Sequence, residues 1–91
     1  MENKERPIGV FDSGIGGLTV LEKLIKYLPN EHYLYIGDLK NSPYGEKTKE
    51  QIIEFTKNIM DYFVSKGVKM VVVACNTASS FIEEIQNDYD I

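Results

Sequence analysis

The sequence is poor in cysteine and histidine, has no tryptophan and contains no long apolar run. One cysteine among 91 residues excludes an internal disulfide and a metal site built from several thiolates, and it suits a reducing compartment. The longest strongly apolar run, Met70–Cys75, is far shorter than the roughly 18–20 residues that cross a bilayer. The N-terminal residues mix both charge signs and lack the apolar stretch of a signal peptide. We therefore expect a cytoplasmic protein with no membrane association and no metal site.

Positive charge is also in short supply. Ten basic residues stand against fourteen acidic ones, which gives a net charge of −4, and the basic residues form no cluster. A nucleic-acid partner is therefore not expected. Hydrophobic residues make up 43% of the chain and charged residues 26%, as in ordinary folded proteins. The length fits one small domain, residues 1–91, and excludes two full ones.

Three short runs of apolar and β-branched residues predict buried strands. They are Ile8–Phe11, His32–Ile36 and Val68–Ala74. The last is apolar at nearly every position, which is typical of a parallel strand covered on both faces. Residues 37–47, rich in glycine, asparagine and proline, predict a loop.

The segments between and after the strands predict helices. Residues 18–28 carry leucine and isoleucine at the spacing of one helical face. Thr48 and Gln51 form a capping box that predicts the start of a second helix, and Ser80 and Glu83 form another that predicts the start of a third.

The order βαβαβα predicts a parallel sheet with helices on both faces, a three-layer α/β/α arrangement. Three strands are few for such a sheet. We therefore expect this chain to be the incomplete N-terminal part of a larger α/β protein.

Polar residues follow each predicted strand at the edge where open α/β sheets bind ligands. If the first and third strands are neighbours, the turns after them meet in one crevice. The residues that converge there are Asp12, Ser13, Cys75, Asn76 and Thr77.

The glycine-rich turn 12–17 permits two interpretations. Its glycines leave free N–H groups before a helix, which favours an anion, but a purely structural tight turn needs the same residues. A dinucleotide fingerprint fails in detail, because Thr19 stands where the third glycine belongs. Asp12 is either a turn carboxylate or a site residue.

Cys75 also leaves two alternatives. A free cysteine is commonly an inert buried residue, yet Cys75 ends an apolar strand just before a predicted turn at 75–79 and a helix, where a thiolate acts as nucleophile or base. The only histidine, His32, precedes the second strand at the opposite edge. A cysteine–histidine pair is therefore not expected.

Four segments of the sequence closely resemble motifs of the glutamate racemases, in the same order and spacing. They are Asp12–Leu21, Tyr35–Asp38, Pro43–Gly45 and Val72–Ser79. The resemblance implies an isomerase that interconverts L- and D-glutamate without a cofactor and supplies D-glutamate for peptidoglycan, and hence for the bacterial cell wall and cell shape. It also implies a homodimer.

The same resemblance implies roles for individual residues. Members of the family use two cysteines on opposite faces of the substrate, and Cys75 matches the first of them. The positions that match substrate-binding residues are Asp12, Ser13, Tyr44, Gly45, Asn76 and Thr77. The second cysteine lies in a second domain that this sequence does not contain, so we expect the 91 residues to be inactive alone. The alternatives are a racemase of aspartate or another amino acid, and a non-catalytic module that binds small anions.

Overall fold

The three strands form one parallel sheet. The computed structural model of the chain describes residues 5–89 and Ile91. Its strands are β1 (Ile8–Asp12), β2 (Tyr33–Gly37) and β3 (Met70–Val73). They lie in the order β2-β1-β3, with Ile8 opposite both Tyr33 and Met70. The predicted parallel sheet, with the first and third strands as neighbours, is confirmed.

Four α-helices and two short 3₁₀ turns connect and follow the strands. The helices are α1 (Leu18–Tyr27), α2 (Lys49–Ser65), α3 (Asn76–Ser79) and α4 (Ile82–Gln86), and the 3₁₀ turns are Leu39–Asn41 and Tyr44–Glu46. None of the helices in the described part of the chain has the length and apolar character of a membrane span.

The helices lie on both faces of the sheet, as the sequence predicts. Phe11 of β1 packs in the core with Phe63 of α2. The hydroxyl of Tyr33, which is paired with Ile8 in the sheet, donates to the carbonyl of Leu24 in α1 at 3.0 Å. Successive residues of a strand point to opposite faces, so Phe11 and Ile8, three residues apart, face opposite sides. Tyr33 shares the side of its partner Ile8, and α1 therefore covers the side opposite to α2.

The two sides are packed unequally. The core lies between the sheet and α2, with α3 and α4 beside it; its buried members are Phe11, Tyr44, Ile52, Met60, Phe63, Val68, Cys75, Ala78 and Ile85. On the other side, no residue of α1 is buried, and Ile25 is 48% exposed. The predicted apolar face of α1 therefore exists but is only partly covered.

The third predicted helix is present as α4, but its predicted start is wrong. Residues 75–79 do not form a simple turn, because Cys75 caps a short helix, α3, directly after β3. Ser80 then has helical backbone angles (φ −67°, ψ −15°) and its hydroxyl donates to the carbonyl of Thr77 at 2.7 Å. Ser80 is thus the C-cap of α3, and α4 begins after Phe81 without a side-chain cap.

The capping box at the start of α2 is confirmed and gives a test. Thr48 Oγ1 accepts from the Gln51 amide at 3.1 Å, and Gln51 Oε1 accepts from the Thr48 amide at 2.9 Å. Thr48→Ala is expected to lower the free energy of unfolding by about 1 kcal/mol, because an orphan N–H of the first turn loses its acceptor. Ser80→Ala, the matched change at the residue that does not cap α4, is expected to cost less than about 0.5 kcal/mol. Urea unfolding of both variants measures the difference, and equal losses would contradict the assignment of caps.

Candidate active site

The carboxyl ends of the three strands bring three segments together. The turn 13–17 follows β1, the loop 38–46 follows β2, and the segment 74–79 follows β3. The amide of Asp38 donates to the carbonyl of Asp12 at 2.9 Å, and the amide of Ala74 donates to the carbonyl of Phe11 at 2.7 Å. Since β1 and β3 are neighbours, the condition for the turns after them to meet is fulfilled, and the three segments border one candidate crevice.

Asp12 fixes the glycine-rich turn. Its side chain is buried, with 8% exposed, and Oδ2 accepts from the Gly17 amide at 2.7 Å. Gly17 is the N-cap of α1, so the carboxylate lies at the positive end of that helix, where negative charge is favoured. One oxygen of Asp12, Oδ2, thus serves the turn, as one of the two interpretations of this residue predicts.

The turn and the second loop touch through their backbones. A Cβ atom on Gly37 would lie 2.2 Å from the carbonyl oxygen of Gly14. That oxygen also accepts from the hydroxyl of Tyr35 at 2.9 Å. Burial raises the pKa of Tyr35, and the negative charge of Asp12 raises it further. The hydroxyl therefore stays protonated as a donor that holds the turn in place.

Tyr44 lies in the core and ties the loop to it. Its side chain is 1% exposed, and its ring contacts Phe11 and Phe55 with centroid distances of 6.1 and 5.7 Å. Its hydroxyl donates to Asp38 Oδ2 at 2.6 Å. Gly45, the next residue, is exposed, and a Cβ atom there would meet nothing within 4 Å. The structure thus places the Tyr44 side chain under the crevice and Gly45 at its surface.

The buried hydroxyl of Tyr44 predicts a loss of stability at high pH. Burial raises its pKa above the ordinary 10, and the hydrogen bond and negative charge of Asp38 raise it further. Tyrosine in the unfolded chain ionises above about pH 10, whereas the folded Tyr44 keeps its proton, so stability present below that pH is lost as pH rises. Between about pH 9 and about pH 11, the unfolding free energy of the unaltered chain should therefore decrease with pH more steeply than that of Tyr44→Phe. The difference in slope is expected to reach up to about 1.4 kcal/mol per pH unit.

Urea unfolding across that pH range measures the slope. Tyr27→Phe is the matched control, because Tyr27 is 73% exposed. An identical slope in Tyr44→Phe and the unaltered chain would contradict the prediction.

Cys75 combines features of both alternatives considered for it. It is a free, buried cysteine with 5% exposed and belongs to the core. It also stands at the carboxyl edge of the sheet, where Sγ accepts from the Ala78 amide at 3.4 Å. An N–H directed at sulfur stabilises negative charge that develops there.

Several backbone amides of the three segments have no acceptor within the protein. In the described part of the chain, the amides of Ser13, Gly45, Asn76 and Thr77 donate to no carbonyl oxygen and to no side chain. Unpaired amides near the start of a helix or a turn are suited to bind a carboxylate. The carboxyl edge of the sheet therefore carries a thiol, a buried carboxylate and several amides that are free to bind an anion.

Two other features lie away from the crevice. His32 is exposed and precedes β2, and its carbonyl accepts from the amide of Ile8, so it lies at the amino end of the sheet, as expected. An apolar cavity of about 360 Å³ lies between β3, α2 and α4 and is lined by none of the predicted site residues. Over residues 5–89 and Ile91, no three His, Cys, Asp or Glu side chains are grouped as metal ligands.

Sequence reasoning missed the contacts of Asp38. The carboxylate of Asp38 accepts from Tyr44 and also from Asn41 Nδ2, at 3.1 and 3.0 Å to its two oxygens. The sequence feature that could have indicated these contacts is the position of Asp38 directly after β2, at the same edge of the sheet as Asp12 and Cys75.

Comparison with known proteins finds relatives over the whole chain. No family model matches the chain, but the glutamate racemase of Clostridium botulinum is 50% identical over 92 aligned residues, which cover 100% of this chain and 36% of that protein. The chain is homologous to the glutamate racemases. It spans about a third of the length of the curated relatives that it matches.

Solved glutamate racemases have the same fold over this region. The enzyme from Thermus thermophilus, in complex with β-chloro-D-alanine, is 45% identical with a TM-score of 0.92, over 99% of this chain and 36% of that one. The enzyme from Francisella tularensis, in complex with D-glutamate, is 42% identical with a TM-score of 0.88, over 93% and 32% of the two chains. The resemblance drawn from the motifs and the α/β fold are both confirmed.

Proposed function

We propose that this chain forms the first half of the active site of a glutamate racemase, with Cys75 as the base that removes the α-proton. The observation that carries the proposal is the position of Cys75 at the carboxyl edge of the sheet, in a segment whose Asn76 and Thr77 amides are unpaired. The sequence identity of 50% with a glutamate racemase over the whole chain supports it.

Each polar group of the crevice has a role in this proposal. The amides of Ser13, Gly45, Asn76 and Thr77 suit the carboxylates of glutamate, because backbone N–H groups bind such anions without reorganising. The buried carboxylate of Asp12, at the same edge of the sheet as Cys75, suits the ammonium group of glutamate. The Tyr44 side chain is buried in the core and anchors the loop that contains Gly45.

The chemistry is proton transfer at the α-carbon. The Cys75 thiolate takes the α-proton, and the electron pair left on the α-carbon is delocalised into the neighbouring carboxylate, whose charge the amides stabilise. Inversion needs a proton from the opposite face. Cys75 is the only cysteine of the chain, so the second thiol of the two-cysteine mechanism comes from outside residues 1–91. Proton transfer between two thiols and the α-carbon requires no cofactor.

The wider role follows from the product. D-glutamate is a component of bacterial peptidoglycan, so we propose a cytoplasmic enzyme of cell-wall synthesis that acts as a homodimer in its complete form. The racemases of Thermus and Francisella, solved with β-chloro-D-alanine and D-glutamate, support a small amino acid as the ligand.

Proton NMR of L-glutamate in heavy water tests the proposal, with the longest product of the gene that encodes this chain. We expect the α-proton signal to disappear and D-glutamate to form, and we expect no efficient inversion by residues 1–91 alone. Exchange of L-aspartate but not glutamate would identify a different racemase. Binding of glutamate without exchange would favour the anion-binding module.

A further inference from the structure

Asp38 is a partly buried carboxylate that the proposed mechanism does not use. It stands between β2 and the loop 39–46, and its two oxygens accept three hydrogen bonds from side chains of that loop. The shortest, 2.6 Å from the hydroxyl of Tyr44, has the length of a charge-assisted bond.

These bonds are not those of an ordinary helix cap. Asp38 is the N-cap of the 3₁₀ turn Leu39–Asn41, yet its side chain makes no capping hydrogen bond to that turn. The carboxylate reaches instead across the loop to Asn41 and Tyr44. A residue serving only to start the turn would bond to the amides that follow it.

Asp38 also joins the loop to the strand that carries Asp12. Its amide donates to the carbonyl of Asp12 at 2.9 Å. Through the Tyr44 ring, which is packed against Phe11 and Phe55, its carboxylate fixes the residue that precedes Gly45. Asp38 thereby links the end of β1, through its backbone amide, to the residue before Gly45, through its carboxylate.

We propose that Asp38 is a positioning residue, whose carboxylate holds Tyr44 and Asn41 so that the Gly45 amide meets the substrate carboxylate. The proposal rests on the proposed function. Because Asp38 acts on the binding donors and touches no reacting atom, its loss affects substrate binding more than proton transfer.

Kinetics of Asp38→Asn in the longest gene product test the proposal. We expect KM for glutamate to rise ~10-fold, the order of one lost charge-assisted hydrogen bond, with kcat changed less than ~3-fold. Tyr44→Phe should raise KM similarly, and the double variant should be no worse than the more affected single one, because both changes break one bond. A purely structural role would lower the amount of active enzyme and leave KM unchanged.

The chain provides a matched control. The hydroxyl of Tyr89 donates to Asp61 Oδ1 at 2.8 Å, so Asp61→Asn alters a tyrosine–aspartate bond of the same kind away from the crevice. We expect KM of Asp61→Asn to equal that of the unaltered protein. An unchanged KM in Asp38→Asn, with racemization intact, would overturn the positioning role alone.

A second measurement separates this proposal from the proposed function. If the unaltered protein exchanges no amino acid, the proposed function fails, and the Gly45 amide signal in the ¹⁵N–¹H NMR spectrum decides the positioning role. We expect Asp38→Asn, but not Asp61→Asn, to shift that signal and to speed its exchange with solvent. An unmoved Gly45 signal would overturn the proposal.

Discussion

Replacement of Cys75 by serine is expected to slow α-proton exchange of glutamate by about 10³-fold, the typical contribution of a positioned base. Serine is close in size and its oxygen can still accept from the Ala78 amide, which now bonds to Sγ at 3.4 Å. A serine hydroxyl is a far weaker acid than a thiol, so serine supplies no base at this position while the cap remains. The rate of loss of the α-proton NMR signal in heavy water measures the effect.

Two controls make the result specific to chemistry. Urea unfolding should show that Cys75→Ser remains folded with a loss of about 1–3 kcal/mol, because the buried volume hardly changes while a hydroxyl replaces a thiol in the core. Binding of D-glutamate, followed by NMR titration, should survive because the amides of Ser13, Asn76 and Thr77 are untouched. Exchange at the unaltered rate in Cys75→Ser would remove Cys75 from the mechanism.

Gly37→Ala is expected to be the most destabilising small change in the site, with a loss of about 3 kcal/mol or more of unfolding free energy. The new Cβ would lie 2.2 Å from the carbonyl oxygen of Gly14, which the Tyr35 hydroxyl already holds. Since the obstacle is backbone and no flexible side chain can swing away, the turn and the loop must separate. A domain of this size has roughly 5–14 kcal/mol of stability in total.

Gly45→Ala is the matched control for that prediction. It makes the same chemical change in the neighbouring loop, where a Cβ atom meets nothing within 4 Å, and it should alter stability by less than about 0.5 kcal/mol. Urea unfolding of the two alanine variants gives the comparison. Similar stabilities would show that the contact between Gly37 and Gly14 relaxes easily.

Local signals in the sequence sufficed for most of the fold. The strands were predicted from apolar runs to within two residues at each end, and β3 lies inside the predicted Val68–Ala74. The start of α2 was predicted from Thr48 and Gln51, whose bond is between neighbours in the chain. The alternation of strands and helices predicted a parallel sheet, but the convergence of Asp12 and Cys75 also needed β1 and β3 to be neighbours, which only the structure shows.

Contacts between distant segments could not be predicted in this way. The burial of Tyr44 depends on Phe11 and Phe55, which lie in different elements, and no spacing in the sequence encodes their meeting. The Ser80 capping box failed for a related reason, because the backbone angles of Ser80 are set by α3. The role of Asp38 became visible only when its partners were known.

The uneven packing of α1 implies that these 91 residues, taken alone, do not unfold evenly. A helix without a buried residue opens at a lower free energy than one anchored in the core as α2 is, and its amides exchange with solvent sooner. The turn held by Asp12 leads directly into α1. A ligand bound to that turn therefore opposes the opening of α1. Part of its binding free energy offsets the entropy lost when this helix, which it does not touch, becomes ordered.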